Sequence, residues 1–159
     1  MTLSTKLPIG EKKIDTILVL DFGSQYTQLI ARRIRELDVF SVILPWDISK
    51  ERIAALNPSG IVLSGGPESV TNNNTPRIPE IIFDLEIPIL GICYGMQTLA
   101  EQFGGQVTPS KTKEFGHASI TIEAACILFD GFDTGSSIDV WMSHGDHVST
   151  LPDQFNLIA

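Results

Sequence analysis

Ile87-Pro88-Ile89-Leu90-Gly91-Ile92-Cys93-Tyr94-Gly95-Met96-Gln97 is the stretch that decides how this chain is read. An apolar run enters a Gly-x-Cys-x-Gly turn, and a helix is predicted over residues 94–103. A buried strand, a sharp turn and a helix in that order make the nucleophile-elbow pattern, here with sulfur in place of oxygen. Gly91 and Gly95 carry no Cβ, so chain and substrate can come close to Cys93. The helix starting near Tyr94 aims its free N–H groups and positive dipole end at the sulfur. A free thiol is only a few per cent thiolate at pH 7, and a helix N-terminus lowers its pKa. The residues thus suggest an activated nucleophile. An inert, buried Cys in a tight strand–helix turn accounts for the pentapeptide equally well.

Outward from the elbow, strands and helices alternate. Residues 16–20 form a continuous apolar run, as expected of a strand covered on both faces. After the turn Asp21-Phe22-Gly23-Ser24, Tyr26, Ile30, Ile34 and Leu37 recur at helical spacing, with Arg32, Arg33 and Arg35 between them on a solvated face. A second strand is predicted over 40–44, stopped by Pro45, and a short helix over 49–56, ended by Asn57-Pro58. Residues 61–63 make a third strand that opens into Ser64-Gly65-Gly66-Pro67. A polar loop at 72–76 leads to a helix over 78–85. Residues 87–92 make the fourth strand, and Gly104-Gly105 are predicted to cap the helix after the elbow. Residues 119–122 and 138–142 read as further strands. The pattern predicts an open, mostly parallel α/β sheet with helices on both faces. Ligands bind such sheets outside the carboxyl ends of the strands, so the loops at 21–26, 64–70 and 91–95 should converge there. Residues 1–13 read as a loose N-terminal arm and 14–159 as one domain. Residues 155–159 read as the opening of another strand, which suggests a chain cut inside its fold.

Composition narrows the classes. Hydrophobic residues make up 43% and charged residues 19% of the 159, as in a soluble globular domain. The net charge of −8 argues against a nucleic-acid or anionic-membrane surface. No apolar run approaches the roughly 20 residues of a membrane span. The two cysteines, Cys93 and Cys126, match no metal-ligand or disulfide-scaffold spacing, so no metal site is expected and a reducing cytoplasm is.

Two further motifs could serve the thiol. Ser64-Gly65-Gly66-Pro67 can offer backbone N–H groups which, with the N–H of Tyr94, would form an oxyanion hole. Its bland alternative is a glycine turn that lets two loops pack. Trp141-Met142-Ser143-His144-Gly145-Asp146-His147 holds two histidines, and either could be a general base for Cys93. A polar loop at the sheet edge is the preferred reading of both, and His117 reads as structural. Asp21-Phe22-Gly23 resembles the kinase magnesium tripeptide but lacks its context, and no phosphate-cradling glycine loop is present.

Taken in order, four motifs are specific. Asp21-Phe22-Gly23-Ser24-Gln25-Tyr26-Thr27-Gln28-Leu29-Ile30-Ala31-Arg32-Arg33, the run from Asn57 through Ser69, Gly91-Ile92-Cys93-Tyr94-Gly95-Met96-Gln97 and Trp141-Met142-Ser143-His144-Gly145-Asp146 resemble the glutaminase portion of the glutamine-hydrolysing GMP synthases. Those enzymes are class I glutamine amidotransferases with a flavodoxin-like sheet. The resemblance implies that Cys93 attacks the side-chain amide of glutamine, forms a γ-glutamyl thioester and releases ammonia. It implies that Gly66 and Tyr94 hold the oxyanion, and that Gly65, Pro67, Gln97, Ser143, His144 and Gly145 line the glutamine pocket. It also implies a synthetase (ATP pyrophosphatase) domain, in the same chain or a separate subunit, that uses ATP and magnesium to convert XMP to GMP. A homodimer is implied only for the full-length enzyme, and no cofactor for these residues. The family's His-x-Glu base and orienting carboxylate have no counterpart here, which predicts missing last strands and a fragment inactive alone. Two rivals remain: a cysteine hydrolase of the same fold using His144 or His147, and a non-catalytic module docking on a synthetase subunit.

Overall fold

The structure is a computed structural model; it describes the backbone of residues 15–159 and their side chains other than those of 110–114 and 144. The arm expected over residues 1–13 lies outside the described residues. Elements follow in the order β1 (Thr16–Asp21), α1 (Thr27–Arg35), β2 (Phe40–Pro45), α2 (Lys50–Leu56), β3 (Gly60–Leu63), α3 (Ile81–Asp84), β4 (Ile89–Gly91), α4 (Tyr94–Gln102), β5 (Gln106–Thr121) and β6 (Ser137–Thr150). The first four strands form one sheet in the order β2-β1-β3-β4, and every pairing in it is parallel.

Side chains alternate across this sheet because successive Cβ atoms point to opposite faces. Leu18, Leu20, Ile61 and Leu63 point to the face that meets Ile53 of α2, Ile82 of α3 and Tyr94 of α4. Val19 and Val62 point to the other face, against Ala31, Ile30 and Ile34 of α1. Covering both faces explains why β1 and β3 are written as unbroken apolar runs. Each fully buried Leu or Ile contributes about 1.5–3 kcal/mol of transfer free energy. α1 is also pinned to β2, since Ser41 Oγ donates to the carbonyl of Ala31 at 3.0 Å and Arg35 donates to the carbonyl of Ser41 at 2.8 Å. Among the described residues no helix is long and apolar enough to cross a membrane.

Three expectations need correction. The helix expected over 78–85 shrinks to Ile81–Asp84. Ile78 precedes Pro79, which disfavours helical geometry. Its N–H and carbonyl are instead both bonded by the Gln102 amide, at 2.9 and 3.0 Å. The strands expected at 119–122 and 138–142 are parts of a far longer antiparallel hairpin, β5–β6, which is a sheet of its own. Ser143, Gly145 and His147 therefore sit on strand β6 rather than on a loop after it. Residues 155–159 form no strand, although the Ile158 carbonyl accepts from the N–H groups of Glu123 and Ala124. The ring of Phe155 closes an aromatic row with Phe103 and Phe83 instead. By contrast, the cap expected at the end of α4 is present. Gly105 N–H returns to Ala100 and Gly104 N–H to Glu101, the paired bonds of a Schellman ending.

Candidate active site

The loops after β1, β3 and β4 meet at the carboxyl edge of the sheet, on either side of the strand-order reversal. The first is locked by Asp21, whose Oδ1 accepts from Gly23 N–H at 2.9 Å and from Thr27 Oγ1 at 2.8 Å. The second is welded to the first by buried Ser64. Its Oγ accepts from Phe22 N–H at 3.0 Å and donates to the Gly65 carbonyl at 2.9 Å. At Gly66 the two loops cross so closely that a Cβ would lie 2.6 Å from the Phe22 carbonyl oxygen. The bland alternative for Ser64-Gly65-Gly66-Pro67, a glycine turn that lets loops pack, is thus part of the truth. The same turn also places Gly65 beside Cys93, 3.5 Å separating the Cys93 Cβ from where a Gly65 Cβ would be.

Cys93 stands at the elbow with φ 49° and ψ −112°. A residue with a Cβ pays about 1–3 kcal/mol to hold such a conformation, and strain of this kind clusters at functional sites. The surrounding bonds impose it. Ile92 N–H reaches the Leu63 carbonyl, Gly95 N–H the Ser64 carbonyl, and Gln97 N–H the Cys93 carbonyl, each at 3.0 Å. Tyr94 turns its side chain into the core, where the ring tilts against Phe22 and the hydroxyl donates to the Pro76 carbonyl at 2.6 Å. Its N–H is left at the elbow. Among the described residues neither the Gly66 nor the Tyr94 N–H finds a protein acceptor.

Two clefts open on Cys93 and share Gly66, Pro67 and Ser143. One, of about 460 Å³, runs past Gly65 to the loop of Gly23, Ser24, Gln25 and Tyr26. The other, of about 470 Å³, runs past Tyr94 and Gln97 to Gly145 and Asp146 on the hairpin. The residues singled out from sequence, Gly65, Gly66, Pro67, Cys93, Tyr94, Gln97, Ser143 and Gly145, are all brought together here. Cys93 Sγ lies 3.9 Å from the Ser143 carbonyl. The backbone of His144 lies on β6 opposite Glu114, and its side chain is outside the described ones. His147 lines neither cleft, and its Nε2 is 3.3 Å from Thr108 Oγ1 on the hairpin. His117 pairs with Asp139 at 3.2 Å on the exposed hairpin, in keeping with a structural role. Asp146 and Ser69 have no role expected from sequence, although both stand in the motifs that carry the resemblance. They meet at 2.5 Å.

A second effect works against the expected lowering of the thiol pKa. Burial pushes the Cys93 thiol above its ordinary value, opposing the partial positive charge of the α4 terminus. Among the described residues no Lys, Arg or His lines either cleft to offset it. The pH profile of Cys93 alkylation by iodoacetamide should accordingly have its midpoint above about 8.5. A midpoint at or below that value would show that burial is outweighed.

Comparison with known proteins places this geometry. Residues 18–159 match the family model described as glutamine amidotransferase class-I. The GMP synthase (glutamine-hydrolyzing) of Photorhabdus laumondii is 54% identical over 149 residues, and that of Teredinibacter turnerae 55%. In each case the match covers 90% of this chain and 28% of the relative, so the chain spans little more than a quarter of those proteins. A solved structure of a proposed GMP synthase subunit from Thermoplasma acidophilum is 35% identical, with a TM-score of 0.75, covering 92% of this chain and 73% of its own. A glutamine amidotransferase from Methylobacillus flagellatus, 21% identical with a TM-score of 0.65, covering 87% of this chain and 58% of its own, shares the fold.

Proposed function

The chain belongs to the class I glutamine amidotransferase family, and from that premise we propose that it is the glutamine-hydrolysing part of a GMP synthase. The observation that supports this reading most is the strained Cys93 elbow, set in a cleft beside two N–H groups that find no acceptor among the described residues. The Cys93 sulfur, once its proton is removed, attacks the side-chain amide carbon of glutamine. The amide oxygen takes up negative charge and is held by the N–H groups of Gly66 and Tyr94, each donor being worth about 10²–10³ in rate. The C–N bond then breaks, the nitrogen takes a proton and ammonia leaves. Cys93 is left as a γ-glutamyl thioester, which water cleaves to glutamate and free thiol.

The ammonia would pass to a synthetase domain or subunit, which adenylates XMP with ATP and magnesium and expels pyrophosphate, after which ammonia displaces AMP to give GMP. No residue of this chain is assigned to that second reaction, and none is assigned to a cofactor. Both cysteines are free thiols, which fits a reducing cytoplasm where nucleotides are made. The rival that uses His147 as base is disfavoured by its place outside both clefts.

With no basic side chain on the described cleft walls, proton transfer from Cys93 is the weak step. These residues alone should hydrolyse glutamine about 10²–10⁴-fold more slowly than an enzyme with a positioned base. His147→Ala should leave that residual rate unchanged. Ammonia release from glutamine, with Cys93→Ala as control, tests both. Cys93-dependent turnover at an ordinary rate that falls with His144→Ala or His147→Ala would favour the rival hydrolase. GMP formation from glutamine that survives Cys93→Ala in the complete enzyme would leave the docking-module rival standing.

A further inference from the structure

The β5–β6 hairpin supplies one wall of the cleft, through Ser143 and Gly145, yet it packs on the body chiefly through α4. Its own ladder does not fix that wall. Pairing shifts register between Pro109 and Glu114, directly across from residues 144–146. Asp146 grips the body at two points instead. Its side-chain Oδ2 accepts from Ser69 Oγ at 2.5 Å, and its backbone carbonyl accepts from Gln97 Nε2 at 3.0 Å. These partners belong to different parts of the body, Ser69 to the loop after β3 and Gln97 to α4 just past the elbow. Neither is free to drift. Gln97 is only 4% exposed, and Ser69 Oγ lies 2.7 Å from Thr71 Oγ1. A bond to an ionised carboxylate is roughly twice as strong as a neutral one.

We propose that Asp146 is a positioning residue, one that clamps the hairpin to loop and helix and so sets the gap between Ser143 and Cys93 in which glutamine is held. It acts through Ser143, three residues earlier on the same strand, whose carbonyl is the group facing the sulfur. The inference rests on the glutamine reading of the cleft and adds what shapes it.

The test is protection of Cys93 by glutamine against iodoacetamide, read as the mass of the Cys93 peptide, in the protein at its natural length. Asp146→Leu removes the acceptor at similar size, Ser69→Ala removes the donor, and Asp146→Asn keeps an acceptor. The half-protecting glutamine concentration should rise about tenfold or more in Asp146→Leu and Ser69→Ala, and less than about threefold in Asp146→Asn. The double variant should be no worse than the worse single one, because both remove the same bond. Alkylation without glutamine is measured for each variant, and protection is read against that variant's own unprotected rate. If Asp146→Leu fails to fold, Ser69→Ala carries the test. Glutamine protection that is equal in the natural protein, Ser69→Ala and any folded Asp146→Leu overturns the clamp and leaves the glutamine reading intact. A natural protein that glutamine does not protect overturns both.

Discussion

Replacing Cys93 by Ala should lower glutamine-dependent ammonia release about 10⁴-fold or more in the complete enzyme, in line with the loss of other nucleophiles that act with a base as a unit. Under the proposed division of labour, product formation fed by free ammonia should persist, because that step is assigned to the synthetase domain or subunit. The substitution is a clean one. Ala has the same Cβ, so the elbow keeps both its shape and its strain at φ 49°. The backbone bonds of Ile92, Gly95 and Gln97 that impose the turn do not involve the sulfur. Melting temperature and circular dichroism should therefore match the parent, and a fall in rate cannot be assigned to unfolding. A glutamine-dependent rate within about tenfold of the parent would end the thioester assignment.

Gly95→Ala is expected to do the most damage to the fold for the smallest change in atoms. A Cβ there would lie 2.4 Å from the Leu63 carbonyl oxygen and 2.6 Å from the Leu63 Cβ. Neither neighbour can yield, since Leu63 is a fully buried residue of the central strand β3. Gly95 cannot retreat either, because its own N–H is bonded to the Ser64 carbonyl at 3.0 Å. α4 would have to move off the sheet and carry the Tyr94 N–H with it. A loss of about 3–5 kcal/mol is expected, at the upper end for a single substitution. For a domain of this size that is a fall in melting temperature on the order of 10 °C. Glutaminase activity should fall with it even below the melting range. A melting temperature within about 2 °C of the parent would show that α4 has slack the packing does not suggest.

The parts of this molecule that are buried on both sides were legible in its sequence. β1 and β3 are apolar runs because two layers of helices cover them. The spacing of Ile30 and Ile34 marked α1 because that helix has one wet side. The elbow could be read because three residue types at fixed spacing are needed to make it. The hairpin was mostly hidden for the opposite reason. Phe115 and Trp141 lie on it 64% and 77% exposed, and its alternation over 115–121 and 137–143 is only between exposed and half-buried residues, with no fully buried face. The helix expected over 78–85 began too early because the decisive partner of Ile78, the Gln102 amide, comes 24 residues later. Distance also hid the Ser69–Asp146 bond, whose ends are 77 residues apart. The opposing effects on the thiol were not equally visible, because the helix that lowers its pKa is local, while the burial that raises it belongs to the assembled loops.

The hairpin's separateness has a consequence for how a ligand is bound. β1 to β4 order only when distant segments meet, whereas β5 and β6 can pair with each other locally and then dock. The nucleophile is thus carried by one sheet and the facing wall by another, joined through α4, Val107 and the bonds of Asp146. The binding-competent state is the docked one, so apparent affinity is the intrinsic affinity multiplied by the docked fraction. Anything that shifts that fraction, a neighbouring domain included, would tune substrate affinity without touching the sulfur.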